Sequence, residues 1–234
     1  MQIFIVGNGR TGTNWMGQII GSHPDVAYGG EAMLKLVTSA IMLPDDPWKY
    51  EALEHVVSRY DLRIVQAAPK HYADKSHPAL WMIDELAAAF PDAKFIAMKR
   101  DPVATVASML NHSGVLQWHK LDHPSPFLGT TAENFDAYQK LEEFEKCAMR
   151  LKAHYDRIDM VRHGPLIERI VEARFEGFVE DDTQIGADWL FDWLGLPPHR
   201  IPPKLHARSD ALTKWKDTLS DEQADRIREL MDDD

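Results

Sequence analysis

A three-layer α/β sandwich with a central parallel sheet is predicted by three features of this 234-residue chain. Short β-branched and aromatic runs alternate with stretches of helical spacing, the pattern of parallel strands joined by crossover helices. The first run leads through a glycine-rich stretch into a helix, the arrangement expected of a P-loop-like phosphate-binding strand-loop-helix. No Gly/Ser-rich or Pro-rich linker divides the sequence, so residues 1–234 are expected to form one domain.

The elements follow in order. Ile3 to Val6 is apolar throughout and bounded by Gly7, as a buried parallel strand should be. Thr13 or Asn14 can cap a helix running to about Ile20. Val26-Ala27 suggests a short second strand. Leu34, Val37 and Ile41 form one stripe of a helix over Glu31–Met42, and another helix fits Trp48–Tyr60. Arg63–Ala67 reads as a strand, and Pro78–Phe90 as a helix with proline in its first turn. Lys94–Lys99 (KFIAMK) is the clearest strand after the first, and Asp101-Pro102 opens a helix to about Asn111. Ser113–Thr131, rich in Gly, Pro and His, reads as a long loop and a candidate lid. A helical pattern covers Ala132 to about Arg162, and Ile167–Phe175 reads as the last central strand. Helices are expected at about Gln184–Leu194 and Asp221–Met231, with Asp232-Asp233-Asp234 as a frayed, solvated end.

Composition narrows the function classes. Lysine and arginine number 26 against 37 acidic residues, for a net charge of −11, which argues against non-specific nucleic-acid binding. An anion site in such a chain must concentrate positive charge locally, and Arg10, Lys70, Lys75, Lys99 and Arg100 all lie in the first hundred residues. Cys147 is the only cysteine, excluding an intrachain disulfide and a thiolate metal cluster. No run reaches the ~18 apolar residues of a membrane span, and the apolar start is too short for a signal peptide. A cytoplasmic location without stable membrane insertion is the expectation.

The segment Val6-Gly7-Asn8-Gly9-Arg10-Thr11-Gly12-Thr13-Asn14-Trp15 carries the first chemical signal. Backbone N–H groups and a helix N-terminus at such a junction cradle an anion. Gly7 and Gly12 have the spacing of a nucleotide-triphosphate loop, but Thr13 replaces its lysine and Asn14 its magnesium-binding hydroxyl. The charge sits instead on Arg10, which suits a phosphate bound without an obligatory metal. An ordinary glycine-rich β–α turn is the alternative reading of the segment alone.

Arg10-Thr11-Gly12-Thr13-Asn14-Trp15 closely resembles the 5′-phosphosulfate loop of sulfotransferases, [KR]-[ST]-G-T-T-[WL], departing from it only at Asn14. Arg100 at the end of a strand, with Ser108 eight residues on, resembles the pair that holds the 3′-phosphate in that family. Weaker, collinear matches are Asp74-Lys75-Ser76, Ala173-Arg174-Phe175-Glu176 and Lys214-Trp215-Lys216. The chain is identified as a member of the sulfotransferase family, with features of its bacterial, cytosolic and tyrosylprotein branches. The resemblance implies transfer of a sulfuryl group from 3′-phosphoadenosine-5′-phosphosulfate (PAPS) to a hydroxyl or amine, by in-line displacement with a general base, releasing PAP. It implies a cofactor site of Arg10, Thr11, Gly12, Thr13, Asn14, Trp15, Arg100, Ser108, Phe175 and Lys214. Trp15 is equally readable as a core residue.

Negative charge develops on the leaving phosphate during such a transfer, and Lys75 and Arg10 are assigned to stabilise it. Two residues compete as base. Glu31 follows Gly29-Gly30 as in the tyrosylprotein enzymes, and His77 follows Lys75-Ser76 as in the cytosolic ones; Glu31 is preferred. His119 and His123 stand four residues apart, but between prolines, and no metal is expected. Met33, Leu34, Trp81, Met109, Leu116 and Trp118 are the apolar candidates for the acceptor pocket. The acceptor itself, a small molecule, glycan or lipid, and any homo-oligomer are left open. A magnesium-dependent kinase and an inactive anion-binding module are the rival readings.

Overall fold

A computed structural model describes residues 1–180, 182–207 and 213–232. Five strands form an all-parallel sheet in the order β2-β3-β1-β4-β5: β1 Gln2–Gly7, β2 Val26–Tyr28, β3 His71–Asp74, β4 Lys94–Lys99 and β5 Ile170–Arg174. β1 lies at the centre, and its side chains alternate between two cores. Ile3 and Ile5 face one side, with α1 (Thr13–Gly21), α9 (Phe175–Glu180) and α10 (Thr183–Leu194). Phe4 and Val6 face the other, with α2 (Leu34–Ile41), α3 (Pro47–Ala67), α4 (Ile83–Ala89), α5 (Pro102–Leu110), α8 (Glu143–Arg162) and α11 (Asp221–Asp232). Helices on both faces explain why β1 and β4 read as unbroken apolar runs. This is the expected three-layer α/β sandwich.

Several boundaries differ from expectation. Arg63–Ala67 is not a strand but the last turns of α3, and the strand is His71–Asp74. The β-branched pair Ile64-Val65 suggested extension, yet the buried stripe Leu53, Val56, Tyr60 continues to Ile64 at helical spacing, and Val65 is exposed. Asp46 caps that helix through the Lys49 N–H at 3.2 Å, and Pro69 follows its end. The long helix over Ala132–Arg162 is divided into α7 (Phe135–Gln139) and α8, with the Glu142 N–H donating to the Glu145 side chain at 3.2 Å. Glutamate at a helix start is a weaker signal than Ser, Thr, Asp or Asn. Ser113–Thr131 is not a structureless loop: it contains α6 (Ser113–Leu116) and 3₁₀ turns at Gln117–Lys120 and Pro126–Leu128, with Val115, His119, Phe127 and Leu128 buried. The last two residues of the terminal aspartate run lie outside the described residues.

Candidate active site

In a parallel sheet every strand delivers its carboxyl end to the same edge, and ligands bind there where the strand order reverses. β1 is that point, with β3 on one side and β4 on the other. From the end of β1 the chain enters the loop at residues 8–12. Gly12, at φ 94°, caps α1, and Arg10 is held at φ 79°, a left-handed conformation uncommon outside glycine. Thr11 is fully buried, and its hydroxyl donates to the Asn8 carbonyl at 2.7 Å. Asn8 in turn donates to the Gly9 carbonyl at 2.7 Å. The loop is thus braced from within, and the first turn of α1 carries N–H groups without intrahelical acceptors beside it.

Parallel register brings the next two residues together. Tyr28 pairs with Ala73, the Gly29 N–H donates to Ala73, and the Lys75 N–H donates to the Gly30 carbonyl at 2.9 Å. That ladder sets Glu31, in the turn before α2, against Lys75, and the two form an ion pair. Lys75 is almost wholly buried, whereas the glutamate side chain remains 43% exposed. Asp74 anchors the segment: it accepts from Tyr60 Oη at 2.9 Å and from the Ser76 N–H at 2.7 Å. Burial pushes the Asp74 carboxyl above its usual range despite these donors. His77 lies beneath the loop, where a Cβ on Gly9 would stand 3.0 Å from its Nε2, and it stacks on Trp118 at 5.9 Å between centroids. Burial first, and the charges of Lys75 and Arg150 next, hold this imidazole well below its usual range.

At the end of β4, Tyr155 clasps Arg100 through its backbone. The Arg100 N–H donates to Tyr155 Oη at 2.8 Å, and the phenol donates to the Arg100 carbonyl. The guanidinium rests 4.8 Å from the Phe175 ring centre, and burial lowers its pKa even with Glu176 and Asp101 nearby. Arg10 Nε donates to Ser108 Oγ at 3.1 Å, so the loop and α5 are joined across the site. Trp15 meets Phe175 edge-on at 5.3 Å and donates through Nε1 to the Leu205 carbonyl at 2.7 Å.

These elements enclose a cavity of about 450 Å³. Arg10, Gly12, Thr13, Asn14, Trp15, Glu31, Lys75, His77, Arg100, Ser108 and Phe175 all line it. Lys214 lines an adjoining cavity of about 300 Å³ that shares Arg10, Arg100 and Ser108. Only the Thr11 side chain turns away, into the loop. Of the cations singled out early in the chain, Lys70 precedes β3 at the opposite sheet edge, and Lys99 pairs with Asp159 at 2.6 Å and Glu172 at 3.3 Å. Leu34 and Trp118 reach the cavity; Met33 and Met109 are core, and Trp81 and Leu116 pack against it. His112, Gly114 and Val115 also line the cavity, and their sequence carries no motif that marks them. His119 instead contacts Glu143 at 3.4 Å, and His123 contacts the Met42 carbonyl at 3.1 Å. Among the described residues no group of three or more His, Cys, Asp or Glu is placed to hold a metal ion, and no helix is long and apolar enough to cross a membrane.

The protein is thus an α/β protein whose parallel sheet brings a glycine-rich loop, converging cations and, among the described residues, one carboxylate to a single cavity at its strand ends. The sulfotransferase family model matches residues 39–200, more than half of the chain, and the chain belongs to the sulfotransferase family. A Caenorhabditis briggsae protein named "Putative protein-tyrosine sulfotransferase" is 29% identical over 98% of this chain and 85% of its own length. Human protein-tyrosine sulfotransferase 1 is 32% identical over 47% of this chain and 34% of its own length, so the chain spans only about a third of that relative. Among solved structures, the sulfotransferase domain from the curacin biosynthetic pathway has a TM-score of 0.61 at 15% identity, covering 99% of this chain and 97% of that one. Mouse sulfotransferase SULT7A1 complexed with PAP has a TM-score of 0.55 at 16% identity, covering 98% of this chain and 81% of that one. These structural likenesses carry the fold; the family model carries the general assignment to sulfuryl transfer.

Proposed function

We propose that the chain is a PAPS-dependent sulfotransferase in which Glu31 is the general base. The observation that carries this reading is the β2–β3 register, which sets Glu31 on Lys75 in the cavity that Arg10, Arg100 and Ser108 also line. The donor set fits a polyanion: three cations and the hydroxyl residues Thr13 and Ser108 line a space in which Glu31 is the single acidic lining residue among the described residues, in a chain of net charge −11. PAPS supplies a sulfuryl group joined to a phosphate leaving group. Arg10 and the start of α1 bind the 5′ side, while Arg100 and Ser108 bind the 3′-phosphate, with Lys214 beside them. Phe175 and Trp15 supply aromatic surface for the base. Glu31 accepts the proton of the acceptor hydroxyl or amine, and Lys75 and Arg10 offset the charge that builds on the leaving oxygen. His77, buried and held neutral, shapes the floor of the site.

The test is nucleotide selectivity. Melting temperatures of wild type and of the double variant Arg100→Ala/Ser108→Ala are compared with PAP, AMP and Mg²⁺·ATP. PAP at a hundred times its dissociation constant stabilises the wild type by about 2.7 kcal/mol. The reading expects PAP to outperform AMP and Mg²⁺·ATP, and the double variant to lose that preference. Equal effects of PAP and AMP, or a larger effect of Mg²⁺·ATP, would remove the 3′-phosphate site and favour a kinase or anion-binding role.

A further inference from the structure

Behind the cavity lies a buried cation without a counterion among the described residues. Arg150 of α8 has no exposed surface, and its Nε, Nη1 and Nη2 find no hydrogen-bond acceptor among the described residues. Its guanidinium lies 4.4 Å from the Trp118 ring centre and 4.5 Å from that of Phe127. Glu143 does not neutralise it, since that carboxylate is engaged with His119 at 3.4 Å and Lys146 at 3.7 Å. The neighbouring groups share the deficit: Tyr138 Oη, His119 Nε2 and both ring nitrogens of His77 are also buried without partners. Their electrostatic neighbour in common is Arg150, which acts on all three. Folded proteins leave few buried polar atoms unpaired, and a cluster of this kind, rich in donors around one guanidinium, asks for an acceptor of negative charge.

Trp118 is the wall shared with the transfer site. It lines the cavity with Gly114 and Val115 of its own segment, stacks on His77, and covers the guanidinium. We propose that Arg150 anchors a carboxylate carried by the acceptor substrate, which gains access by turning the Trp118 indole aside. A planar guanidinium binds a carboxylate through two parallel N–H donors, and burial makes that pair selective for charge over an amide of the same shape. Trp118 sits in a four-residue 3₁₀ turn, an element with few backbone bonds to resist such a movement. This inference rests on the sulfotransferase reading for the identity of the cavity and names the acceptor class that reading leaves open.

The experiment uses two probes of equal shape, 4-hydroxyphenylacetate and its uncharged amide, 4-hydroxyphenylacetamide. Each is titrated calorimetrically into PAP-saturated wild type, Arg150→Met and Arg150→Lys, with circular dichroism as the check on folding. Wild type is expected to bind the acid roughly thirtyfold more tightly than the amide. Arg150→Met is expected to lose that preference, to keep its PAP affinity, and without ligand to melt no lower than wild type, because it removes the buried charge and its unpaired nitrogens. If Arg150→Met does not fold, Arg150→Lys carries the comparison: it keeps the charge, loses the fork, and is expected to lower the preference several-fold. Equal binding of acid and amide to wild type, or a preference that survives both substitutions, overturns the proposal. An equal, Arg150-dependent response to inorganic sulfate alone also overturns it, by making the chamber a free-anion site. Failure of PAP to bind wild type strikes the sulfotransferase reading instead, and the acid–amide comparison without nucleotide still decides the role of Arg150.

Discussion

Lowering the pH from 7.5 to 5.5 is expected to destabilise this protein through three histidines buried around Arg150. Burial first, and the Arg150 charge among the further causes, holds His77 and His154 well below the ordinary imidazole range and lowers His119 to about 4. The partners of His154 show the physical reason. Trp81 Nε1 donates to its Nε2 at 3.0 Å, so its proton sits on Nδ1 and is given to the Arg150 carbonyl at 2.8 Å. A second ring proton would point at an N–H and add a charge beside a guanidinium. Below about pH 6.5 the unfolded chain therefore takes up protons that the folded chain refuses, and stability falls with pH. One such histidine loses about 1.4 kcal/mol between pH 7.5 and 5.5, and three lose about 4 kcal/mol. For a chain of this length that is a drop of roughly 8–16 °C in melting temperature. Asp74 works in the opposite direction, since its raised carboxyl gains a proton more readily when folded, but it is one group against three. Melts at pH 7.5, 6.5 and 5.5 and constant ionic strength check this in wild type and His154→Gln, which should remove about a third of the dependence. A wild-type change under roughly 3 °C, or an unaltered slope in His154→Gln, refutes the reasoning.

Three further outcomes are expected. Glu31→Gln should lower single-turnover sulfuryl transfer by roughly 10²- to 10⁴-fold with PAP affinity kept, while His77→Asn has a smaller effect; the reverse pattern makes His77 the base. Gly12→Ala should cost about 1–2 kcal/mol in thermal unfolding, because φ 94° disfavours any Cβ and the added carbon would stand 3.0 Å from the Phe175 ring. Tyr155→Phe strips the Arg100 backbone of both its phenol bonds, so the PAP-over-AMP preference in calorimetry should shrink more than AMP binding itself; a loss equal for both nucleotides would mean the clasp serves only stability.

The sheet and the loops at its strand ends were legible because their signals are local. Ile3–Val6 and Lys94–Lys99 are short apolar runs with turn chemistry at their ends, and Arg10–Trp15 and Arg100–Ser108 are fixed spacings across one strand-to-helix junction. The strand misplaced onto Arg63–Ala67 shows the limit of composition: two β-branched residues suggest extension, but a stripe that began at Leu53 decides the outcome. Long-range placements carried no signal. Arg150 falls in an ordinary amphipathic helical pattern, and only the packing of α8 against residues 126–128 reveals that it is inside and unpaired. Likewise Tyr60 was legible as a helix residue, whereas its bond to Asp74 depends on how α3 lies over β3.

On the proposed reading, the Glu31–Lys75 pair couples the two halves of the transfer. While Glu31 is ionised it holds the buried ammonium of Lys75. When Glu31 takes the acceptor proton, that attraction falls away, and the lysine charge becomes available as negative charge grows on the leaving oxygen. Proton uptake on the acceptor side thus strengthens stabilisation on the leaving side, through an ion pair whose lysine is shielded from water. The arrangement would also let a chain of net charge −11 bind a polyanion: among the described residues the single carboxylate lining the cavity is the one whose charge the proposed reaction removes.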